Sequence, residues 1–111
     1  MTGDRLYLQH IADAIAKIES YARVGREEFF AASHWQDAII RQLEIIGEAT
    51  KRLSPILRDR HPGIPWRQIA GLRDVLIHDY MGVDLEAVWQ VVQKDLPRLK
   101  SGVEALLVES T

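Results

Sequence analysis

The feature that most constrains the fold is a long amphipathic repeat in the first half of the chain. Its apolar residues recur at i, i+4, i+7, i+10 and i+14, at Ile39, Leu43, Ile46, Ala49 and Leu53. This spacing places them on one face of an α-helix. Ser33 and Gln36 form an S-x-x-Q helix start signal, and Ser54-Pro55 ends the repeat. The sequence therefore predicts a helix that needs partners for its apolar face.

Two further helices are predicted on either side of this repeat. A first helix runs from about Asp4 to Ala22, with Gly25 as a stop signal, and the polar and aromatic segment REEFFAA connects it to the second helix. Residues 54–65 hold three of the four prolines and predict a loop, with one short helical turn at Pro55 to Asp59. Pro65 then opens a helix that continues toward Tyr80-Met81-Gly82.

The last third of the chain is also predicted to be helical. Gly71 kinks or breaks the helix that Pro65 opens, and Asp84 caps a further helix. Asp95 and Pro97 mark a kink or restart before the final helix. No alternating strand pattern competes with these assignments. We expect one all-α domain over residues 1–111, a bundle of four or five helices.

The charge is unevenly distributed along the chain. The net charge is −2, which argues against a protein that coats nucleic acid by bulk electrostatics. The segment from Lys51 to Arg73 nevertheless has six basic residues and one acid, a net charge of +5, so the remainder carries −7. Its basic residues either cover a solvated surface or contact an anionic ligand; those before Arg73 are Lys51, Arg52, Arg58, Arg60 and Arg67.

Several kinds of site have no support in the sequence. There is no cysteine, which excludes disulfides and thiolate chemistry and is compatible with a cytoplasmic protein. No H-x-x-x-H or Gly-rich phosphate loop occurs, so we expect no metal and no cofactor. His10, His34 and His61 have no sequence neighbours comparable to those of His78. The amino terminus predicts no signal peptide, and no apolar run is long enough for a membrane span.

The segment GLRDVLIHDY holds the one constellation that suggests chemistry. It contains Arg73, Asp74, His78 and Tyr80 within an apolar run. On a straight helix Arg73 and Tyr80 lie about 20° apart, whereas His78 lies roughly 140° from Arg73. The two side chains cannot then reach one atom. Either the helix unwinds near His78, or a second copy of the chain completes the site.

These residue types suit RNA cleavage. The imidazole of His78 can take a proton from a ribose 2′-hydroxyl or give one to a leaving 5′-oxygen. The guanidinium of Arg73 can hold a phosphodiester and stabilise the charge of its transition state. Asp74, at i−4, could accept the imidazole N–H and orient the ring. A purely structural role for these side chains remains an alternative.

The chain resembles the HepT-like branch of the HEPN superfamily. The resemblance rests on YLQHIADAIAKIESY, QDAIIRQLEIIGEATKRLS, IPWRQIAGLRDVLIHDYMGVD and VWQVVQKDLPRLK, which together cover nearly the whole chain. Arg73, Asp74, His78 and Tyr80 match the family signature, although the position of Asp74 more often holds Asn. The resemblance implies a HEPN-type helical bundle that pairs into a homodimer, with the motifs of both chains facing one cleft.

The resemblance also implies a function. The expected activity is that of a metal-independent endoribonuclease, the toxin of a toxin–antitoxin pair. The antitoxin is a minimal nucleotidyltransferase that neutralises it by binding or by transferring AMP to the motif tyrosine, here Tyr80. Two alternatives stay open. The protein is a non-catalytic module that binds a substrate or nucleotide for its nucleotidyltransferase partner, or the motif residues are polar groups of a dimer interface.

Overall fold

The computed structural model describes residues 2–72, 77–78 and 82–109. Its helices are α1 (Thr2–Ala22), α2 (Gly25–Ala31), α3 (Ser33–Lys51), α4 (Pro55–Arg60), α5 (Trp66–Ala70), α6 (Leu85–Gln90) and α7 (Leu96–Glu109), with a π-helical segment (Val91–Asp95) before α7. Two short strands, β1 (Ile77–His78) and β2 (Gly82–Val83), lie between α5 and α6. The prediction of an all-α fold is confirmed.

The three long helices pack side by side around one core. The start of α1 lies beside the end of α3, where Asp4 accepts hydrogen bonds from Ser54, and the end of α1 lies beside the start of α3, where Tyr21 contacts Trp35. These two helices are therefore antiparallel. Their apolar faces supply most of the fully buried side chains, namely Leu8, Ile11, Ile15, Ile18, Ile39, Leu43 and Ile46. The amphipathic repeat predicted in the sequence is thus the centre of the fold.

Helix α7 closes the bundle against α1. Arg5 near the start of α1 donates to the carbonyl of Leu107, and Lys100 forms an ion pair with Glu19 at 3.0 Å near the other end. Because opposite ends meet, α7 is antiparallel to α1. Val103 is fully buried between them.

The segment REEFFAA, predicted as a connection, is largely helical. Six of its seven residues fall within α2, where Phe29 is fully buried and lies 5.1 Å from Trp89, ring centroid to centroid. Seven residues are too few to show a helical period, so only the tertiary contact selects the helix. Gly25 has a φ of +89°, a conformation that favours glycine. The turn between α1 and α2 therefore matches the stop signal predicted there.

The kink or restart predicted at Asp95 and Pro97 is confirmed. The chain changes from α-helix to π-helix at Val91 and resumes as α7 at Leu96, one residue before Pro97. Proline has no amide hydrogen and its ring clashes with a preceding carbonyl in a regular helix. The wider π turn relieves this conflict without breaking the run from α6 to α7.

Candidate functional site

The predicted motif lies between two anchored segments of the bundle. Arg73, Asp74 and Tyr80 lie outside the described residues, and His78 is described in its backbone alone. The described side chains end at Leu72 and resume at Asp84. The structure therefore defines the frame of the site, and the roles of the motif side chains stay predictions.

On the amino-terminal side of the motif, α5 is seated directly on α3. A Cβ atom placed on Gly47 of α3 would lie 3.4 Å from the carbonyl oxygens of both Ile69 and Ala70. Ile69 and Leu72 are buried, with 6% and 7% of their surface exposed. Glycine at position 47 allows this close approach of the two backbones. Arg73 therefore follows directly after a residue that is fixed in the core.

The break predicted at Gly71 is confirmed, and the prediction that the helix from Pro65 continues to Tyr80 is wrong at Ile77 and His78. Helix α5 ends at Ala70, with Gly71 as its C-cap, and β1 pairs with β2 in antiparallel register, Ile77 opposite Val83 and His78 opposite Gly82. Gly71 weakens a continuous helix, whereas the β-branched pair of Ile77 and Val83 suits paired strands. The expectation that no strand forms is corrected as well.

This correction changes the geometric argument about the motif. Since His78 lies in an extended strand, helical angles no longer relate it to Arg73, and the i−4 spacing no longer supports a contact with Asp74. Of the two solutions to the geometric conflict, unwinding of the helix by His78 is the one that the backbone adopts. A second copy of the chain is not needed to explain that conflict.

On the carboxy-terminal side, α6 is fixed at its first turn. The side chain of Asp84 accepts a hydrogen bond of 3.0 Å from the backbone N–H of Ala87, the N-cap predicted from the sequence. Val88 is fully buried and Trp89 is 7% exposed. The motif segment is therefore held at both of its ends by buried side chains.

An exposed ion pair joins α6 to α2. Arg26 donates two hydrogen bonds to the carboxylate of Glu86, and its guanidinium lies 4.6 Å from the ring centroid of Phe30. The hydrogen bond from Arg26, and then one from Gln90, lowers the pKa of Glu86 from 4.5 to about 2. The same pair raises the pKa of Arg26. This bridge ties α6, the helix that follows the motif, to the neighbouring α2.

The five basic residues predicted as RNA contacts do not form one patch. Lys51 and Arg52 end α3 beside a cavity of about 410 Å³ that also includes Ala70. Arg60 lines a different cavity, near the ends of α1 and α7. Arg58 and Arg67 line a third, larger one. The local excess of positive charge is thus divided among three surfaces.

The cavity at the end of α3 brings a second set of polar side chains close to the motif. His10 and Tyr7 of α1 line it, with their rings edge-on and 5.9 Å apart, and Arg41 of α3 lies on the other wall. Ala70, three residues before Arg73, closes one end. The cavity lining carries charges of both signs, and Lys51 forms an ion pair with Glu48 at 3.4 Å. His10 therefore has tertiary neighbours that its sequence context did not show.

The third cavity, which we call the arginine groove, is defined by Arg58 of α4, Arg67 of α5 and Arg98 of α7. Its volume is about 850 Å³, and residues 62–66 form one wall. Of the residues that the structure describes, Asp59 is the one acidic residue that lines it. Arg67 and Arg98 are exposed, and Arg58 is half-buried. This groove is the most basic of the three cavities.

Metal binding and membrane insertion find no support in the described part of the chain. Within residues 2–72, 77–78 and 82–109, no three His, Asp or Glu side chains are close enough together to hold a metal ion. None of the described helices is both long and apolar enough to cross a bilayer.

Comparison with known proteins identifies the family. The family model described as "Ribonuclease HepT-like" matches residues 11–106, a range that contains the whole motif. The chain belongs to the HepT-like ribonuclease family. This confirms the resemblance found in the sequence, and with it the assignment to a family of ribonucleases.

Relatives of this HepT-like chain support the assignment. A Thermococcus cleftensis protein named "Probable ribonuclease HepT" is 46% identical over 101 residues, 90% of this chain and 92% of that protein. A "Putative RNase" of Caldanaerobacter subterraneus is 39% identical over 108 residues, 96% of each chain. A Methanocaldococcus jannaschii protein named "Gamma-glutamylcyclotransferase and putative RNase" is 44% identical, and the chain spans about half (48%) of its length. No solved structure matches the chain significantly.

Sequence reasoning did not group Arg98 with the other basic residues of the arginine groove. Arg98 lies 31 residues after Arg67 and outside the basic segment, next to Pro97 in a run predicted as helix. Only the packing of α7 beside α5 brings the two guanidinium groups to one groove. A local count of charges along the chain carries no signal for such a pair.

Proposed function

We propose that this protein is a metal-independent endoribonuclease that acts through its R-x4-H-x-Y motif. The observation that carries the proposal is the match of residues 11–106 to the HepT-like ribonuclease family, because this range includes Arg73, His78 and Tyr80. The frame of the site supports it. The described residues on both sides of the motif are anchored, Leu72 by burial in the core and Asp84 by its cap on Ala87, and His78 lies in a strand.

The proposed reaction is attack by the neighbouring 2′-hydroxyl of RNA. His78 takes the proton of that hydroxyl, the 2′-oxygen forms a bond to phosphorus, and the 5′-oxygen leaves with a proton from an acid. The products are a 2′,3′-cyclic phosphate and a 5′-hydroxyl. Arg73 holds the phosphate oxygens and stabilises the charge that develops on them. DNA has no 2′-hydroxyl and is not a substrate.

Asp74 is assigned to orient His78 on the basis of the family motif alone. The helical spacing that first suggested the contact does not extend to His78, since β1 is extended. A carboxylate that accepts the imidazole N–H would fix the tautomer and favour the protonated ring.

Regulation by a nucleotidyltransferase completes the proposal. In the toxin–antitoxin pair that the family motif suggests, a minimal nucleotidyltransferase silences this cytoplasmic toxin by binding it or by modifying Tyr80. In the second case the tyrosine oxygen attacks the α-phosphorus of ATP and pyrophosphate leaves. The added phosphate carries negative charge, which repels RNA and competes for Arg73. A homodimer would place two such motifs at one cleft.

The test is cleavage of total RNA in EDTA by wild type, His78→Ala and a matched control, His34→Ala. His34 is exposed at the start of α3 and packs on Trp35, whereas α5, which precedes the motif, lies against Gly47 further along the same helix. We expect wild type and the control to give fragments with 2′,3′-cyclic phosphate ends and His78→Ala to give none. Intact-mass measurement establishes that Tyr80 carries no AMP. Intact RNA with folded, unmodified wild type would instead favour the non-catalytic binding module.

A further inference from the structure

We propose that the arginine groove binds the phosphodiester backbone of the RNA strand that flanks the cleavage site. The inference rests on the proposed function, since it takes RNA as the substrate, and it adds where the strand lies. Arg98, which lies outside the basic segment of the sequence, is a member of this subsite together with Arg58 and Arg67.

The charge of the groove fits a polyanion. Three arginines line it and, among the described residues, one acidic residue, Asp59. Among the described residues, no carboxylate forms an ion pair with Arg58, Arg67 or Arg98. Planar guanidinium groups match phosphate oxygens with paired hydrogen bonds. In a chain of net charge −2, this unneutralised cluster is the surface best suited to a nucleic-acid backbone.

The walls of the groove are fixed before any ligand binds. The indole N–H of Trp66 donates to the carbonyl of His61 at 3.0 Å, which closes the loop between α4 and α5. Ile64 of that loop lies over Gly102 of α7, so closely that a Cβ atom there would be 2.5 Å from the Ile64 Cδ1. This contact holds α7 beside the loop. A preformed groove loses less entropy on binding than one that must first be ordered.

Arg58 is the least mobile of the three cations. Its Nε atom is buried and has no hydrogen-bond partner among the described residues. Burial of Nε restricts the rotamers of the side chain, and no carboxylate of the described residues forms an ion pair with it. Arg58 therefore supplies a fixed point on one wall, while Arg67 and Arg98 are exposed.

The groove also leads toward the predicted site of cleavage. Ala70 lines the groove, and Arg73 follows three residues later. A strand that lies along Arg98 and Arg67 reaches the end of α5, three residues before Arg73 in the sequence. The groove volume of about 850 Å³ is larger than the cavity of about 410 Å³ on the other side of Ala70. The RNA strand is accordingly placed on the α4–α5–α7 side.

The test measures the salt dependence of RNA binding. Fluorescence anisotropy follows a labelled, unstructured 20-nucleotide RNA on full-length His78→Ala protein, alone or combined with Arg67→Ala and Arg98→Ala. The logarithm of the RNA-binding constant falls linearly with the logarithm of the salt concentration. Each lost phosphate contact makes this negative slope shallower by about 0.7 for a single strand. We expect the two groove substitutions to reduce the slope by about 1.4 and to weaken binding roughly tenfold at moderate salt.

Two controls make the result specific. Arg23→Ala removes an exposed arginine in the turn between α1 and α2 and should leave the slope as it is. Arg67→Lys with Arg98→Lys keeps both charges and should restore most of the slope. Equal salt slopes for the groove variant and the Arg23 control would overturn the inference. The groove would then have another ligand, such as an acidic protein.

The length of the RNA separates this inference from the proposed function. In cleavage assays with the intact motif, wild type should gain in kcat/KM between a 4-nucleotide and a 20-nucleotide RNA. The groove variant should lose most of that gain. No cleavage by wild type at any length would refute the proposed function, whereas cleavage with the full length-dependent gain in the groove variant would refute the groove.

Discussion

Replacement of Gly47 by leucine should displace the helix that leads into the motif. Gly47 faces the carbonyl oxygens of Ile69 and Ala70, and a Cβ atom would already be in van der Waals contact with both, at 3.4 Å. Alanine therefore fits, and in a helix it is favoured over glycine by up to about 1 kcal/mol. The three further carbons of leucine have no room unless α5 moves away from α3.

The expected cost of Gly47→Leu is about 2 kcal/mol, the middle of the range for an overpacked core. Unfolding entropy is about 2.1 cal/mol/K per residue, so for 111 residues it is about 0.23 kcal/mol/K. The variant should then melt about 9 °C below wild type. Since a shift of about 1 Å in a catalytic group can cost about a hundredfold in rate, RNA cleavage should fall by a similar factor at temperatures where the variant is folded.

Thermal unfolding and RNA cleavage by wild type, Gly47→Ala, Gly47→Leu and Gly3→Leu test this reasoning. Gly3 lies on α1 with nothing within 4 Å of a Cβ position, so Gly3→Leu controls for leucine in a helix without the clash. Gly47→Ala and Gly3→Leu should melt near wild type and keep activity. A Gly47→Leu protein that melts and cleaves like Gly3→Leu would refute the claim that this close packing positions the motif.

Two further predictions concern α6. Because the pKa of Glu86 is lowered from 4.5 to about 2 in the fold, its bond to Arg26 stabilises the protein above pH 4.5 and is lost as the pH falls toward 2. Glu86→Gln should lower the urea midpoint at pH 7 by an amount that vanishes near pH 2; a difference independent of pH would contradict this. Asp84→Ala should lower the free energy of unfolding, measured with urea, by about 1 kcal/mol. Asp84→Asn can still cap the helix and should lower it clearly less. Equal losses of stability for the two variants would exclude the cap.

The sequence predicted those parts of the fold that local periodicity determines. The repeat from Ile39 to Leu53 is long enough to define a helix and its buried face, and α3 follows it closely. Asp84 also identified the start of α6, because an N-cap is a local interaction between neighbouring residues. In both cases the interactions that select the structure lie within one or two turns.

The misassigned elements depend on contacts between distant residues. Helix α2 is selected by the packing of Phe29 on Trp89, 60 residues away. The strands at Ile77 and Val83 are too short to show alternation. For the site, the sequence supplied the motif but could not join Arg98 to Arg67, since only the fold brings α7 beside α5.

The central claim, cleavage through the internal 2′-hydroxyl, is tested most directly with a chimeric substrate. Mapping of the ends first locates one strong cut in a 20-nucleotide RNA, which is then synthesised with a single 2′-deoxy residue on the 5′ side of that bond. Both substrates are incubated with wild-type protein in EDTA. We expect the all-RNA strand to be cut to a 2′,3′-cyclic phosphate and the chimera to stay intact at that bond. Cleavage of the chimera at the same bond would contradict the account.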